Sequence, residues 1–198
     1  MKFLQRGLKM LIVSSYPPRE CGLATFSNDI VNTVSRMFGD TIPIEVCALQ
    51  NDNAPYKYGD EVTYTLSTSF LQDYRIVAEK INERHDIGLV CVQHEFGLFG
   101  GTYGNYILAF LLALNKPVIT VFHTVLPKPD NKRKKVVQAI ANLSDRIVVL
   151  TKKSQSLLID DYGYQKPKTT LIPHGTHTVL WSQKEILKNK YYYSNKIV

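Results

Sequence analysis

Short β-branched runs and amphipathic stretches take turns along the chain. Residues 9–14 form an apolar run bounded by Tyr16-Pro17-Pro18, which predicts a buried strand ending in a loop. From 23 to 38, Phe26, Ile30, Val34 and Met37 recur at helical spacing and mark the apolar face of a helix that Gly39-Asp40 ends. A strand over 44–49, a polar loop over 50–60 and a short strand over 62–66 follow. Leu71, Tyr74, Ala78 and Ile81 then predict a helix that ends near His85. The continuous apolar run 87–93 suits the centre of a parallel sheet. Four glycines fall within residues 97–104, and a helix should follow them through Leu114. Beyond lie a strand over 117–122, a Pro- and Lys-rich loop over 124–135, a helix near 136–143 and a strand over 146–150. A helix over 152–162 and a strand over 169–172 complete the series. Strands alternating with helices imply right-handed crossovers, hence a Rossmann-like, doubly wound and mostly parallel α/β sheet flanked by helices.

Ligands of such sheets sit at the carboxyl ends of the strands, and the unusual residues gather there. The first strand is followed by Tyr16 to Thr25, the central one by Gln93-His94-Glu95-Phe96-Gly97. The next delivers Phe122-His123-Thr124 and the last Pro173-His174-Gly175, with His177 two residues on. Gly22 directly precedes a helix, where backbone N–H groups and the helix dipole favour a phosphate; a plain tight turn explains that glycine equally well. No G-x-G-x-x-G or G-x-x-x-x-G-K is present, which weakens dehydrogenase and NTPase readings. Adjacent on a strand end, His94 and Glu95 should point in different directions. Zinc held by His94, His123 and His174 lacks a Cys pair or H-E-x-x-H spacing, so no metal is expected. A hydrolase using His123 and Glu95 would need a nucleophile motif such as G-x-S-x-G, which is absent.

Composition narrows the setting. The 198 residues carry a net charge of +7. Residues 128–135 contribute +4 and residues 184–198 contribute +3, so the remainder is neutral. That localisation argues against a nucleic-acid binder. The 128–135 run fits a solvated surface, a phosphorylated or lipid-phosphate acceptor, or an anionic membrane surface. Cys47 and Cys91 sit in apolar runs as reduced, buried thiols, and Cys21 reads as a loop cysteine. With Arg6 and Lys9 interrupting the first apolar run and no stretch near the ~20 apolar residues of a spanning helix, a cytoplasmic protein is expected.

Four segments, in order and on the expected strand ends, resemble the N-terminal domain of retaining GT-B glycosyltransferases of family 4. They are Ser14-Ser-Tyr-Pro-Pro-Arg-Glu-Cys-Gly-Leu-Ala-Thr-Phe26, Val92-Gln-His-Glu-Phe-Gly-Leu-Phe-Gly-Gly101, Val121-Phe-His-Thr-Val-Leu-Pro127 and Leu171-Ile-Pro-His-Gly175. The resemblance runs from about Lys9 to Trp181. It implies two Rossmann-like domains facing a cleft, with the acceptor on this half and a nucleotide sugar on the other. His123 would be the active-site histidine. Arg19, His94, Glu95, Phe96, Gly97 and Thr124 would line the acceptor side, Gly22 and Leu23 the donor-phosphate loop, and His174 and Gly175 the interdomain cleft. His174 stands where the family commonly has Asn. No cofactor beyond the nucleotide-sugar substrate is implied, and the acceptor would be a sugar or glycolipid.

On this reading residues 1–181 form the domain and 182–198 a shortened interdomain linker. The family's Glu-x7-Glu donor element has no counterpart in the sequence. The chain alone is therefore expected to lack turnover until a donor-binding domain or second chain completes it. A non-catalytic carbohydrate- or partner-binding module on the same fold is the alternative.

Overall fold

The structure, a computed structural model, describes residues 7–50, 55–164, 169–175 and 184–190. Among them, seven strands alternate with helices except between β2 and β3: β1 Lys9–Ser14, α1 Gly22–Phe38, β2 Ile44–Gln50, β3 Val62–Ser67, α2 Leu71–Glu83, β4 Ile87–His94, α3 Ile107–Ala113, β5 Val118–Phe122, α4 Asn131–Leu143, β6 Arg146–Val149, α5 Lys152–Asp160, β7 Thr169–Leu171 and α6 Lys184–Lys190. They form one sheet of order β3-β2-β1-β4-β5-β6-β7, and every neighbouring pair is parallel. This is the doubly wound, Rossmann-like sheet. Its strand order reverses between β1 and β4, which is where such sheets open a crevice.

Alternation along each strand divides the core in two. Leu11, Val13, Val90, Val92, Val118, Phe122, Ile147 and Val149 face a large cluster completed by α2 to α5 through Tyr74, Ile81, Phe110, Ile140 and Leu158. Ile12, Val46 and Ala48 point to the other face, where Val31 of α1 covers them.

Sequence and structure differ in three places. First, α1 buries Ala24, Ser27 and Val31, whereas Met37 of the expected apolar stripe is 68% exposed. Small residues let the helix sit close on β1, and the Ser27 hydroxyl donates to Ser14 Oγ at 2.7 Å. The stripe Phe26, Ile30 and Val34 is turned sideways to line a groove. Second, residues 131–135, expected in a loop, form the first turns of α4. Asp130 caps them, its Oδ1 accepting from the N–H groups of Lys132 and Arg133 at 2.9 and 3.0 Å. Cations are unfavourable at a helix N-terminus, and the capping carboxylate offsets them. Third, α6 lies within the segment read as a linker; His177, Trp181 and the rest of that tail fall outside the described residues.

A network of paired charges lies at the amino-terminal edge of the sheet. Glu45 is buried and accepts from Lys9 at 2.6 Å, Arg84 at 3.0 Å and Thr63 at 3.0 Å. Burial pushes its carboxyl up, but these bonds outweigh that and hold it below the ordinary value. Asp86 shares both cations. Glu45→Ala should destabilise the fold by about 1–3 kcal/mol in urea unfolding, because two half-buried cations and the Thr63 hydroxyl each lose a hydrogen-bond partner.

At the opposite edge, His94 is fully buried. Its ring lies stacked on Phe99 and edge-on to Phe96 and Phe122, at centroid distances of 5.7, 5.4 and 4.9 Å. Neither ring nitrogen has a hydrogen-bond partner among the described residues. Burial, and secondarily His123, pushes this imidazole down to about 3. As pH falls below the unfolded value of 6.5, the unfolded chain takes the proton first, so stability drops until about pH 3. His94→Leu should flatten that acid dependence by up to about 1.4 kcal/mol per pH unit, read from urea midpoints across pH 4–7.

Candidate functional site

The rim is built from loops that leave β1, β4, β5 and β7. After β1, Ser15 and Tyr16 are buried, and Tyr16 donates to Asn28 Oδ1 at 3.1 Å. The turn closes through Arg19 N–H to Tyr16 O and Cys21 N–H to Arg19 O, both 3.1 Å. Cys21 caps α1, its sulfur accepting from Ala24 N–H at 3.4 Å and lying 3.2 Å from Ser15 Oγ. Gly22 and Leu23 are the first two residues of the helix. A Cβ on Gly22 would meet nothing within 4 Å. Neighbouring packing does not demand this glycine, and the helix terminus behind it lies open to an anion. Arg19 is near enough to Tyr58 for its charge to work against the burial that raises that phenol.

Two clusters stand on the rim. In the first, His123 Nε2 lies 2.8 Å from Gln93 Oε1. Phe26 meets the His123 ring edge-on at 4.7 Å and the His174 ring at 5.0 Å. Burial, then the neighbouring His174, pushes His123 down to about 4. At neutral pH it is therefore an uncharged imidazole, suited to exchanging hydrogen bonds with hydroxyls. In the second, Thr124 donates to Glu95 Oε2 at 2.5 Å, and Glu95 Oε1 accepts from Phe96 N–H at 3.0 Å. That carboxylate is held as a fixed acceptor.

The remaining candidates divide by strand alternation. His94 points into the core, so the acceptor contact expected of it has no exposed atom to be made through. Phe96 is half-buried against it, and Gly97 is exposed with open space where a Cβ would go. His174 and Gly175 are exposed, the imidazole donating from Nδ1 to Gly175 O at 2.6 Å. Gly100 and Gly101 are different: a Cβ on Gly100 would strike Thr68 O and Tyr106, and one on Gly101 Asn105 and Tyr106, with Gly101 at φ +81°. Among the described residues no three His, Cys, Asp or Glu side chains come together as metal ligands.

A groove of about 970 Å³ runs from this rim along α1, between Phe26, Ile30 and Val34 on one side and Leu150, Ile172 and Pro173 on the other. The sequence places Gln93 on the rim and Phe26 in the first motif but assigns neither a role in the site. Alternation could have found Gln93, which shares a sheet face with His123. Phe26 was absorbed into the expected apolar stripe.

The Glycosyltransferase Family 4 profile matches residues 45–180. The fold is similar to that of a solved glycosyltransferase from Rickettsia africae ESF-5, at 11% identity and a TM-score of 0.60, over 94% of this chain and 50% of that one. The chain thus spans about half the length of this solved structure. No curated protein matches it in sequence. A profile match over well more than half of the residues, on a sheet of the kind that the motifs predicted, makes this chain a member of Glycosyltransferase Family 4.

Proposed function

We propose that this chain is the acceptor-side half of a glycosyltransferase that moves a hexose from a nucleotide sugar, with retention, to a carbohydrate or lipid-linked acceptor. The observation that carries the reading is the rim itself. A neutral His123 and a fixed Glu95–Thr124 pair stand beside an open helix terminus at Gly22, all on carboxyl ends next to the switch point. An imidazole and a carboxylate held as hydrogen-bonding groups suit sugar hydroxyls, and the α1 terminus suits a diphosphate. The alternative hydrolase reading is disfavoured because both Glu95 oxygens are already committed to Thr124 and the Phe96 N–H.

The facing donor-binding half would come from a second domain or chain, in keeping with the half-length match to the solved glycosyltransferase. Without it the developing charge of the transition state lacks its preorganised partners. In an amide and side-chain NMR titration, oligosaccharide or glycolipid acceptors should perturb His123 and Thr124 while nucleotide sugars alone yield no transferred product. His123→Ala should weaken acceptor binding by about tenfold, the value of one hydrogen bond to a polar ligand. Undiminished binding by that variant, or turnover by the chain alone, would overturn the reading.

The basic run supports a lipid-borne acceptor. Arg133 is occupied: its guanidinium lies 5.1 Å above the Tyr103 ring and 3.4 Å from Asp130. Lys128, Lys132 and Lys135 remain exposed, as does Leu126 at 40%. Lys132 and Lys135 share one helix face. Among the described residues, no helix is long and apolar enough to cross a membrane, so any contact would be peripheral. Replacing these three lysines with Gln should lower co-sedimentation with anionic phosphatidylglycerol vesicles on the order of a hundredfold, at about 1 kcal/mol per cation. Unchanged sedimentation would remove the membrane from the proposal.

A further inference from the structure

Gln93 is a fully buried polar side chain at the carboxyl end of the central strand, and it has two neighbours. Its Oε1 lies 2.8 Å from His123 Nε2, and its Nε2 donates to Cys91 Sγ at 3.4 Å. Strand register explains the contact. Gln93 pairs with Val121, so Gln93, Val121 and His123 project from the same face. The backbone fixes the spacing, since His123 N–H donates to His94 O at 3.0 Å. Phe26 closes the ring's flank edge-on. An imidazole held at one nitrogen and against one edge has a defined tautomer as well as a defined orientation.

We propose that Gln93 is a positioning residue that keeps His123 protonated at Nε2, so that Nδ1 presents a lone pair to a substrate hydroxyl. The inference deepens the reading of His123 as a cleft residue and rests on it. An amide in this place has a consequence that a carboxylate would not. It orders the ring without adding negative charge, and burial then keeps the imidazole neutral. The titratable groups around the ring are His174 on the β7 loop, His94 and Cys91 on β4, and Glu95, which is tied to Thr124 on the adjoining residue. The partly buried Cys91 thiol is itself pushed up to about 12 by desolvation, so it accepts as a neutral group.

The test is histidine-ring 15N NMR on the selectively labelled chain, without sugar. The wild type should show His123 with a protonated Nε2 and a bare Nδ1, through neutral pH. Gln93→Leu should lose that preference and give a mixture of tautomers. Gln93→Glu should retain the Nε2 proton but move the His123 titration upward by about one to three pH units, as a carboxylate at this distance would. Three results overturn the proposal: a wild-type ring protonated at Nδ1 or mixed, a tautomer unchanged in Gln93→Leu, or a titration unmoved in Gln93→Glu. Should Gln93→Leu not fold, the wild-type spectrum and the Glu variant decide. None of these spectra depends on sugar, whereas undiminished acceptor binding by His123→Ala would defeat the cleft reading and leave the tautomer result standing.

Discussion

All seven strands run in one direction, so the chain must cross a face of the sheet before it can begin each new strand. The same constraint gathers every carboxyl end along a single rim and every amino end along the opposite one. At the switch between β1 and β4, successive loops diverge and leave room between them. Loops far apart in sequence, after residues 14, 94 and 122, are thereby brought side by side. The site needs no special fold of its own; it is the place where parallel strands stop.

That logic explains what could be read without coordinates. The strands were legible because buried parallel strands are continuous apolar runs, and 9–14, 44–49 and 87–93 show little else. The rim residues were legible because strand ends are visible wherever such a run stops. Less could be read from the helices. The apolar spacing of α1 was present, but packing against β1 selected the small residues Ala24 and Ser27, since a close approach outweighs side-chain hydrophobicity. The N-terminus of α4 was hidden by a basic run that opposes the helix dipole, although the capping Asp130 stood in plain view. The partners of His123 and His94 needed the pleat. Counting along β4 assigns Gln93 and His94 to opposite faces, but only the packing of Phe96, Phe99 and Phe122 makes one of them core and the other rim.

The two edges of the sheet have separate electrostatic tasks. Lys9, Glu45, Arg84 and Asp86 neutralise one another at the amino edge, where fixed charge helps hold strand ends together. The carboxyl edge instead keeps His94 and His123 uncharged by burial and ties the Glu95 carboxylate through Thr124. Acid threatens the molecule from both edges by different routes, through loss of the Glu45 carboxylate and through protonation of an unfolded His94.

The glycines divide along a line that has a use beyond this fold. Gly100 and Gly101 are dictated from within, by a carbonyl, an amide and an aromatic ring that leave no room for a methyl group. Gly22, Gly97 and Gly175 face empty space, and their backbones are ordinary. Among the described residues, alanine at those three positions would disturb no neighbour. A library of glycine-to-alanine variants would therefore separate two kinds of information: damage at the first pair reports on how this polypeptide folds, and damage at the others outlines whatever comes to rest against it.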